Sequence, residues 1–315
     1  MNIVCVEPLG ISREHFEELG NQFAALGHTF HYHLDRNEDP AVLAARMADA
    51  HIAVISNIPL PAAVLSQCPR LQYLSVAFTG LDHIDLAYCR QHNITVQNAA
   101  GYSTTAVSEL AVGLMLDLLR RVTALDAATR QGGTRANFLG RELRGKTVGV
   151  VGTGAIGTAT IRLLLAFGCN VLAYNRSHHK EVEDLGVRYT DLDTLMRSSD
   201  IVTLHVPLNA DTHHLISRER IALMKPTALL INTARGNVVD IDALSQALRN
   251  GKIAGAGIDV YEKEPPLPQD HPLLGAPNCI CVPHIGYASR EAFDIRADIV
   301  FDHVRQYLAT LYVEY

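Results

Sequence analysis

The chain has 315 residues, of which 48% are hydrophobic and 19% are charged, and its formal net charge is -6. This length predicts about two domains, and the composition excludes disordered, collagen-like and coiled-coil proteins. The acidic balance provides no basic surface for nucleic acid. The longest apolar runs, such as 228–231, are far shorter than the roughly 20 residues that span a bilayer. We therefore expect neither a nucleic-acid partner nor a membrane partner.

The 6 cysteines lie in apolar segments, which is typical of reduced core residues in a cytosolic protein. Met1 leads directly into strand-like sequence, so we expect no export signal and a cytoplasmic location. Cys279 and Cys281 are a weak metal signal, since we expect them to point to opposite faces of a strand and no second ligand pair is nearby. The sequence therefore predicts no metal site.

The first hundred residues alternate short apolar runs with helical stretches. The apolar runs 3–6, 51–55 and 71–76 predict strands, and the stretches 12–26 and 40–50 predict helices. This alternation is typical of repeated βαβ units, so the first domain is predicted to contain a parallel sheet.

A second βαβ series follows a long apolar helix, predicted over 104–122, and a polar, glycine-rich stretch over 130–145. The last segment, 289–311, is amphipathic and predicts a terminal helix that returns to the first domain. The predicted fold class is α/β with two doubly wound parallel-sheet domains. The strands of the second series are expected at 147–151, 171–174, 201–205, 228–232, 253–260 and 279–282, with helices at 158–167, 191–197 and 241–250.

The strand at 147–151 runs directly into a glycine-rich loop and then into a helix. Gly152 permits the tight turn, Gly154 lets the backbone approach a pyrophosphate, and Gly157 allows close packing of the helix. Ala155 and Ile156 lie in the same loop, at the helix N-terminus that supplies N–H groups and positive potential. The spacing and its context predict a dinucleotide-binding site.

The next strand ends in Asn175, Arg176 and Ser177, where such sites usually carry an acid for the adenine ribose. Asn175 in place of the acid removes a negative charge that would repel a 2′-phosphate, and Arg176 adds a guanidinium that can pair with that phosphate. NADP(H) is therefore favoured and NAD(H) remains possible. The alternative is a solvated turn in which Arg176 only stacks on adenine.

Three segments lie at the predicted carboxyl ends of strands, where open α/β proteins bind ligands: 232–236, 257–265 and 283–286. Together with the glycine loop they resemble the D-isomer-specific 2-hydroxyacid dehydrogenase family. The resemblance covers essentially the whole chain and is most specific over 145–286. It implies a Rossmann cofactor domain at 99–286, inserted into a flavodoxin-like substrate domain formed by 1–98 and 287–315.

The resemblance places the catalytic residues at Arg235, Glu264 and His284. An imidazolium at His284 would donate a proton to the C2 oxygen of a 2-oxo acid, while Arg235 binds its carbonyl and carboxylate oxygens. A carboxylate at Glu264 would orient the imidazole and favour its protonated form. The alternatives are a surface ion pair for Arg235, an exposed loop charge for Glu264 and a structural strand-end histidine for His284.

The family's substrate-carboxylate loop matches the segment 77–85, in which backbone N–H groups around Thr79 and Gly80 would meet the acid and Phe78 suggests an apolar wall. The alternative is an ordinary turn with Asp82 as a cap. Asp259, expected at the nicotinamide carboxamide, could equally be structural. By the same resemblance the cofactor would be lined by Thr105, Val206, Pro207, Thr233, Ala234, Asp259 and Gly286.

The expected activity is the reduction of a small unphosphorylated 2-oxo acid, such as glyoxylate, hydroxypyruvate or pyruvate, to the D-2-hydroxy acid. Val76 stands where the phosphoglycerate branch usually has an arginine, which disfavours a phosphorylated substrate. The resemblance also implies a cleft that closes between the domains and a homodimer formed through the cofactor domain. The alternative function is a nucleotide-sensing, corepressor-like binding protein of the same fold.

Overall fold

A computed structural model describes residues 1–311, which divide into two compact units. The first unit contains Met1–Ser103 and the chain from Ala288 onward, and the second contains Thr104–Tyr287. The last four residues of the predicted substrate domain, 312–315, lie outside the described residues.

The chain forms twelve strands and twelve α-helices within residues 1–311. In chain order they are β1 (Asn2–Cys5), α1 (Arg13–Ala25), β2 (Thr29–Tyr32), α2 (Pro40–Met47), β3 (Ile52–Ile55), α3 (Ala62–Leu65), β4 (Tyr73–Val76), α4 (Leu86–Gln91), β5 (Thr95–Asn98), α5 (Thr104–Arg120), α6 (Val122–Arg130), β6 (Thr147–Val151), α7 (Ala155–Ala166), β7 (Asn170–Tyr174), α8 (Lys180–Glu183), β8 (Arg188–Tyr189), α9 (Leu192–Ser198), β9 (Ile201–Leu204), α10 (Arg218–Leu223), β10 (Leu229–Asn232), α11 (Ile241–Arg249), β11 (Gly255–Ile258), β12 (Cys279–Cys281) and α12 (Arg290–Leu311).

The first unit is built on a parallel sheet with the strand order β2-β1-β3-β4-β5, which is the flavodoxin-like order. Its central strands β3 and β4 are buried along their whole length, as continuous apolar runs predict. The edge strands β2 and β5 alternate between exposed and half-buried residues, and their weak apolar character explains why the sequence analysis missed them. The terminal helix α12 packs on β4, where Ser75 Oγ donates to the carbonyl of Val300 at 2.9 Å.

A buried arginine on α12 ties together the loops at the carboxyl edge of this sheet. Arg296 is 4% exposed, and its guanidinium donates to the Leu9 carbonyl at 2.7 Å and to Ser56 Oγ at 3.1 Å. The same group lies 4.2 Å from the centre of the Phe293 ring, a cation–π contact. Because Leu9 follows β1 and Ser56 follows β3, one side chain fixes two loops.

A buried carboxylate holds the same two loops. Glu7 is 1% exposed, and its Oε1 accepts the N–H groups of Ser56 at 2.6 Å and Ile58 at 3.0 Å. Its Oε2 accepts from Arg36 at 2.7 Å. Burial raises the pKa of Glu7, although these donors oppose the shift. Neither Glu7 nor Arg296 was given a role in the sequence analysis, since they are far apart in the chain.

We predict that Arg296→Met lowers the free energy of unfolding by about 2–4 kcal/mol, because buried acceptors lose a charged donor. Arg305→Met on the same helix is the control, since Arg305 pairs with the exposed Asp302 and should contribute less than about 0.5 kcal/mol. Urea denaturation followed by circular dichroism measures both. Equal effects of the two substitutions would contradict the prediction.

The second unit is built on a seven-stranded parallel sheet in the order β12-β11-β10-β9-β6-β7-β8. This is the Rossmann order extended by one strand at one edge, so the predicted fold class is confirmed. Helix α5 packs against α7 and against β10 and β11, with Ala111 and Met115 fully buried. The long apolar helix is therefore part of the core of this unit.

The helix predicted over 104–122 is shorter than expected. It ends at Arg120, and Arg121 takes the left-handed backbone conformation with φ 52°. A separate helix, α6, which the sequence analysis did not predict, follows without a single buried residue. Helix α7 begins at Ala155 rather than at the predicted residue 158, which places Gly157 inside its first turn.

The expectation for the two cysteines of β12 was wrong. Side chains alternate across a strand, so residues two apart share a face, and Cys279 Sγ lies 3.7 Å from Cys281 Sγ. Among residues 1–311, no three histidine, cysteine or acidic side chains are grouped to hold a metal ion. No helix in this part of the chain is both long and apolar enough to cross a membrane.

Candidate active site

The three strand-end segments meet at the carboxyl edge of the second sheet. Strands β10, β11 and β12 end at Asn232, Ile258 and Cys281, which are aligned with one another by the strand register. Because all three strands are parallel, the loops that follow them leave the sheet at the same edge.

His284 and Glu264 form a hydrogen-bonded pair in these loops. The Nδ1 atom of His284 lies 2.9 and 2.8 Å from the two carboxylate oxygens of Glu264. The imidazole is 10% exposed and the carboxylate 65%, so the ring is sheltered while its partner meets solvent. His284 also has φ 54°, a left-handed conformation that costs energy in a residue with a Cβ and is typical of functional sites. The pair can hold and exchange a proton.

Asp259 fixes the loop that carries His284. Its buried carboxylate accepts the N–H of Ile285 at 2.7 Å and the N–H of Gly286 at 2.9 Å. Burial raises the pKa of Asp259 to about 6, against the effect of these two donors and of His284. A Cβ at Gly286 would lie only 2.8 Å from the Asp259 carboxylate. Asp259 is therefore a loop clamp, and its contact with a cofactor stays a prediction.

The Arg235 loop is fixed by a buried amide that the sequence analysis gave no role. Asn232 donates to the Arg235 carbonyl at 2.9 Å and accepts the Ala234 N–H at 3.0 Å. A Cβ at Gly236 would lie 1.9 Å from the carbonyl carbon of Tyr261, so this loop touches the start of the segment that carries Glu264. A polar residue that ends a fully buried strand is the signal that could have identified Asn232.

The glycine loop after β6 has the geometry that its spacing predicts. Gly152 has φ +96° and a Cβ there would lie 2.6 Å from the His205 carbonyl oxygen, while a Cβ at Gly157 would lie 1.9 Å from the Gly152 carbonyl oxygen. A Cβ at Gly154 would meet nothing within 4 Å. Gly154 caps α7 without a side-chain hydrogen bond, so the loop leaves open space beside the first N–H groups of the helix, as an anion requires.

A second observation fits a bound dinucleotide. The hydroxyl oxygen of Thr233 is buried and has no hydrogen-bond partner within residues 1–311, and such orphaned groups are rare in folded proteins. Thr233 follows β10, and Val206 and Pro207 follow β9, which places these predicted lining residues at the carboxyl edge of one sheet.

The loop after β7 contains no acidic side chain at the position expected for ribose binding. Asn175 donates to the Ser177 carbonyl at 2.8 Å, which closes a tight turn. Arg176 is exposed, and its guanidinium takes part in none of the ion pairs within residues 1–311. The cation is therefore available to an anion.

The predicted substrate loop lies at the carboxyl edge of the first unit's sheet. Asn98 donates to the Thr79 carbonyl at 2.5 Å, and the buried Phe78 ring meets His83 edge-on with centroids 6.1 Å apart. Gly80 follows Thr79 in this loop. In the second unit, Thr105 is exposed in the first turn of α5.

The glycine geometry predicts opposite outcomes for two alanine substitutions. Gly157→Ala should lower the free energy of unfolding by about 3 kcal/mol or more, because the new methyl overlaps the Gly152 carbonyl. Gly154→Ala is the control and should lower it by no more than about 1 kcal/mol, since its methyl meets open space. Thermal denaturation of both variants without cofactor tests this, and a destabilised Gly154→Ala would contradict it.

Comparison with known proteins places this geometry in a family. Residues 112–286 match the family model described as D-isomer specific 2-hydroxyacid dehydrogenase, NAD binding domain. The glyoxylate reductase of Thermofilum pendens is 43% identical over 261 residues, which cover 81% of this chain and 76% of that protein. The glycerate dehydrogenase of Methylorubrum extorquens is 38% identical over 86% of each chain.

Solved structures of similar fold cover almost the whole chain. A D-lactate dehydrogenase from Aquifex aeolicus, complexed with NAD and lactic acid, has a TM-score of 0.85 and 30% identity, covering 98% of this chain and 96% of that one. An acyclic imino acid reductase in complex with NADPH and D-Arg has a TM-score of 0.87 and 29% identity, covering 98% of each chain. The chain belongs to the D-isomer specific 2-hydroxyacid dehydrogenase family and is an oxidoreductase of that family.

Proposed function

We propose that this protein reduces a small unphosphorylated 2-oxo acid, such as glyoxylate, hydroxypyruvate or pyruvate, to the D-2-hydroxy acid. The observation that carries the proposal is the His284–Glu264 pair, held at 2.8 Å on loops of the same sheet edge as Arg235. Similar proteins named glyoxylate reductase, hydroxypyruvate reductase and glycerate dehydrogenase support this class of substrate. The corepressor-like alternative is not favoured.

His284 is the proposed proton donor. Glu264 holds Nδ1–H and stabilises the protonated ring, which leaves Nε2 to donate to the C2 oxygen as that oxygen gains negative charge. Arg235 binds the carbonyl and carboxylate oxygens of the acid and stabilises the same developing charge. The exposed Glu264 carboxylate keeps the pair in contact with water, from which the neutral imidazole regains its proton. In the oxidative direction the neutral His284 is the base.

The carboxylate of the acid is proposed to meet backbone N–H groups of Thr79 and Gly80, with Phe78 beside its side chain. The loops that Glu7 and Arg296 tie down adjoin this segment, so we expect them to set which side chains the pocket accepts. One methylene is worth about 1–3 kcal/mol of discrimination in an apolar pocket. We therefore expect several homologous acids to be reduced.

A nicotinamide dinucleotide is the proposed cofactor, and it supplies the hydride when bound. NADP(H) is favoured by the uncompensated charge of Arg176 beside Asn175. The solved structures include one with NAD and one with NADPH, so they do not decide the preference. The residues proposed to hold the cofactor are Thr105, Gly152, Gly154, Ala155, Ile156, Gly157, Asn175, Arg176, Ser177, Val206, Pro207, Thr233, Ala234, Asp259 and Gly286.

A homodimer formed through the second unit is also proposed. Helix α6 has no buried residue, and the large apolar side chains Val122 and Leu139 are 59% and 80% exposed. Apolar surface of this kind commonly marks an interface between chains.

The predicted cytoplasmic location stays a prediction.

The proposed reaction predicts loss of nicotinamide absorbance when the cofactor is mixed with glyoxylate, hydroxypyruvate or pyruvate, and none with 3-phosphohydroxypyruvate. His284→Ala should lower kcat by about 10²–10⁴-fold, the usual contribution of a general acid, while the cofactor Kd stays unchanged. His213→Ala is the control, since His213 is exposed and stacks on His214. Unchanged turnover in His284→Ala would refute its role as proton donor, and binding of cofactor without turnover of any acid would favour a sensing protein.

We predict that the preference for NADPH over NADH depends on the guanidinium of Arg176. Arg176→Ala should weaken NADPH binding by about 10–100-fold, the value of a charged hydrogen-bonded pair, and change NADH binding by less than about threefold. Arg197→Ala, an exposed arginine of α9, should affect neither cofactor. Isothermal titration of the wild type and both variants with each cofactor measures the six affinities, and equal losses for NADPH and NADH in Arg176→Ala would overturn the 2′-phosphate assignment.

A further inference from the structure

The two cysteines of β12 form a close thiol pair at the edge of the second sheet. Their sulfur atoms are 3.7 Å apart, and β12 has β11 as its one neighbour among the strands of residues 1–311. Both are half-buried, whereas the remaining cysteines are buried: Cys5, Cys68, Cys89 and Cys169. A soluble oxidant therefore reaches this pair before the others.

The pair is asymmetric. A thiolate at Cys281 can only accept, so the Cys279 thiol would donate to it across the 3.7 Å between the sulfur atoms. This contact lowers the pKa of Cys281 to about 7, an effect that the Tyr261 hydroxyl strengthens and burial opposes. The same hydrogen bond raises the pKa of Cys279. Because the thiolate is the attacking form, the direction of these shifts favours Cys281 as the nucleophile and Cys279 as the resolving thiol.

We propose that Cys279 and Cys281 are a redox-modification site that closes to a reversible disulfide and thereby displaces His284. The co-reactant is a low-molecular-weight disulfide. The Cys281 thiolate attacks one of its sulfurs, forming a mixed disulfide and releasing one small thiolate. Cys279 then loses its proton and attacks the Cys281 sulfur, releasing the second small thiol. The cysteine pair is oxidised by two electrons, and the low-molecular-weight disulfide is reduced by the same two electrons to two small thiols, which take up the two protons.

Closing the bridge must bend β12. Alpha carbons two apart in an extended strand are separated by about 6.6 Å, near the upper end of the range that a disulfide spans. An edge strand of three residues with one neighbour can contract, since few hydrogen bonds resist it. A strained bridge of this kind is easily reduced again, which is the property of regulatory disulfides.

The bend is transmitted to the proposed catalytic residues, so this part of the inference rests on the proposed function. His284 follows Cys281 by three residues and is already in a strained conformation with φ 54°. The Tyr261 hydroxyl donates to the Val282 carbonyl at 3.0 Å, which links β12 to the segment that leads to Glu264. Contraction of β12 therefore pulls on both members of the His284–Glu264 pair.

The test exposes the full-length protein to oxidised glutathione at neutral pH and maps its cysteines by mass spectrometry. The wild type should lose two hydrogens in mass, with the bridge located in the peptide that contains both cysteines. Cys279→Ser should stop at one glutathionyl group on Cys281, because it lacks the resolving thiol, and Cys281→Ser should remain unmodified at Cys279. Oxidation should lower turnover by about tenfold or more, since a shift of about 1 Å at a reacting group can cost about 10²-fold, and dithiothreitol should restore it.

The outcomes separate the two proposals. Absence of the bridge in the wild type, or modification of a buried cysteine while Cys279 and Cys281 stay reduced, would overturn the thiol pair as a site. A bridge that leaves turnover and its pH profile unchanged would overturn the coupling to His284. If the reduced protein turns over none of the acids, the proposed function fails, while the mass map still decides whether the bridge forms.

Discussion

The register of three parallel strands is the constraint on which the candidate site depends. Asn232, Ile258 and Cys281 are aligned across β10, β11 and β12, so the sheet delivers three loops to one edge at the same height. Arg235 and His284 each follow their aligned residue by three positions, and Asp259 follows Ile258 directly. A slip of one residue in any strand would turn its side chains to the opposite face. The backbone hydrogen bonds between the strands therefore fix where each loop begins, independently of the contacts that the functional side chains make.

In both units a buried side chain holds a loop at the carboxyl edge of the sheet. A buried carboxylate accepts two backbone N–H groups in each case: Glu7 from Ser56 and Ile58, and Asp259 from Ile285 and Gly286. A carboxylate can accept several donors at once, so it orders a loop that a hydroxyl or an amide would hold less completely. The consequence in both units is a loop fixed by charge rather than by an apolar core.

The sequence was sufficient for features that are local in the chain. Continuous apolar strands predicted the two parallel sheets, and the glycine spacing predicted where Gly152, Gly154 and Gly157 stand relative to β6 and α7. The roles of Arg235, Glu264 and His284 came from the resemblance to the family. The rule that ligands bind at strand ends agreed with their positions, because each lies in a segment that follows a recognisable strand.

Features that depend on tertiary contacts could not be predicted in the same way. The contact of Arg296 with Leu9 joins residues from the two ends of the first unit, and neither sequence segment signals the other. The break at Arg121 depends on one left-handed residue between two helices. The error at Cys279 and Cys281 had a different cause. The sequence analysis placed residues two apart in a strand on opposite faces, whereas such residues lie on the same face.

The buried charge at Asp259 is retained at a cost to stability. Its pKa of about 6 is above the ordinary value of about 3.9, so between these pH values the folded state binds a proton that the unfolded state releases. The contribution of this group to the free energy of unfolding therefore falls as pH rises through that window. Above it the ionised carboxylate stays buried because the N–H groups of Ile285 and Gly286 need an acceptor. The buried Asp259 carboxylate therefore lowers the free energy of unfolding near neutral pH. Its hydrogen bonds to Ile285 and Gly286 stabilise the loop in which His284 takes its left-handed backbone conformation.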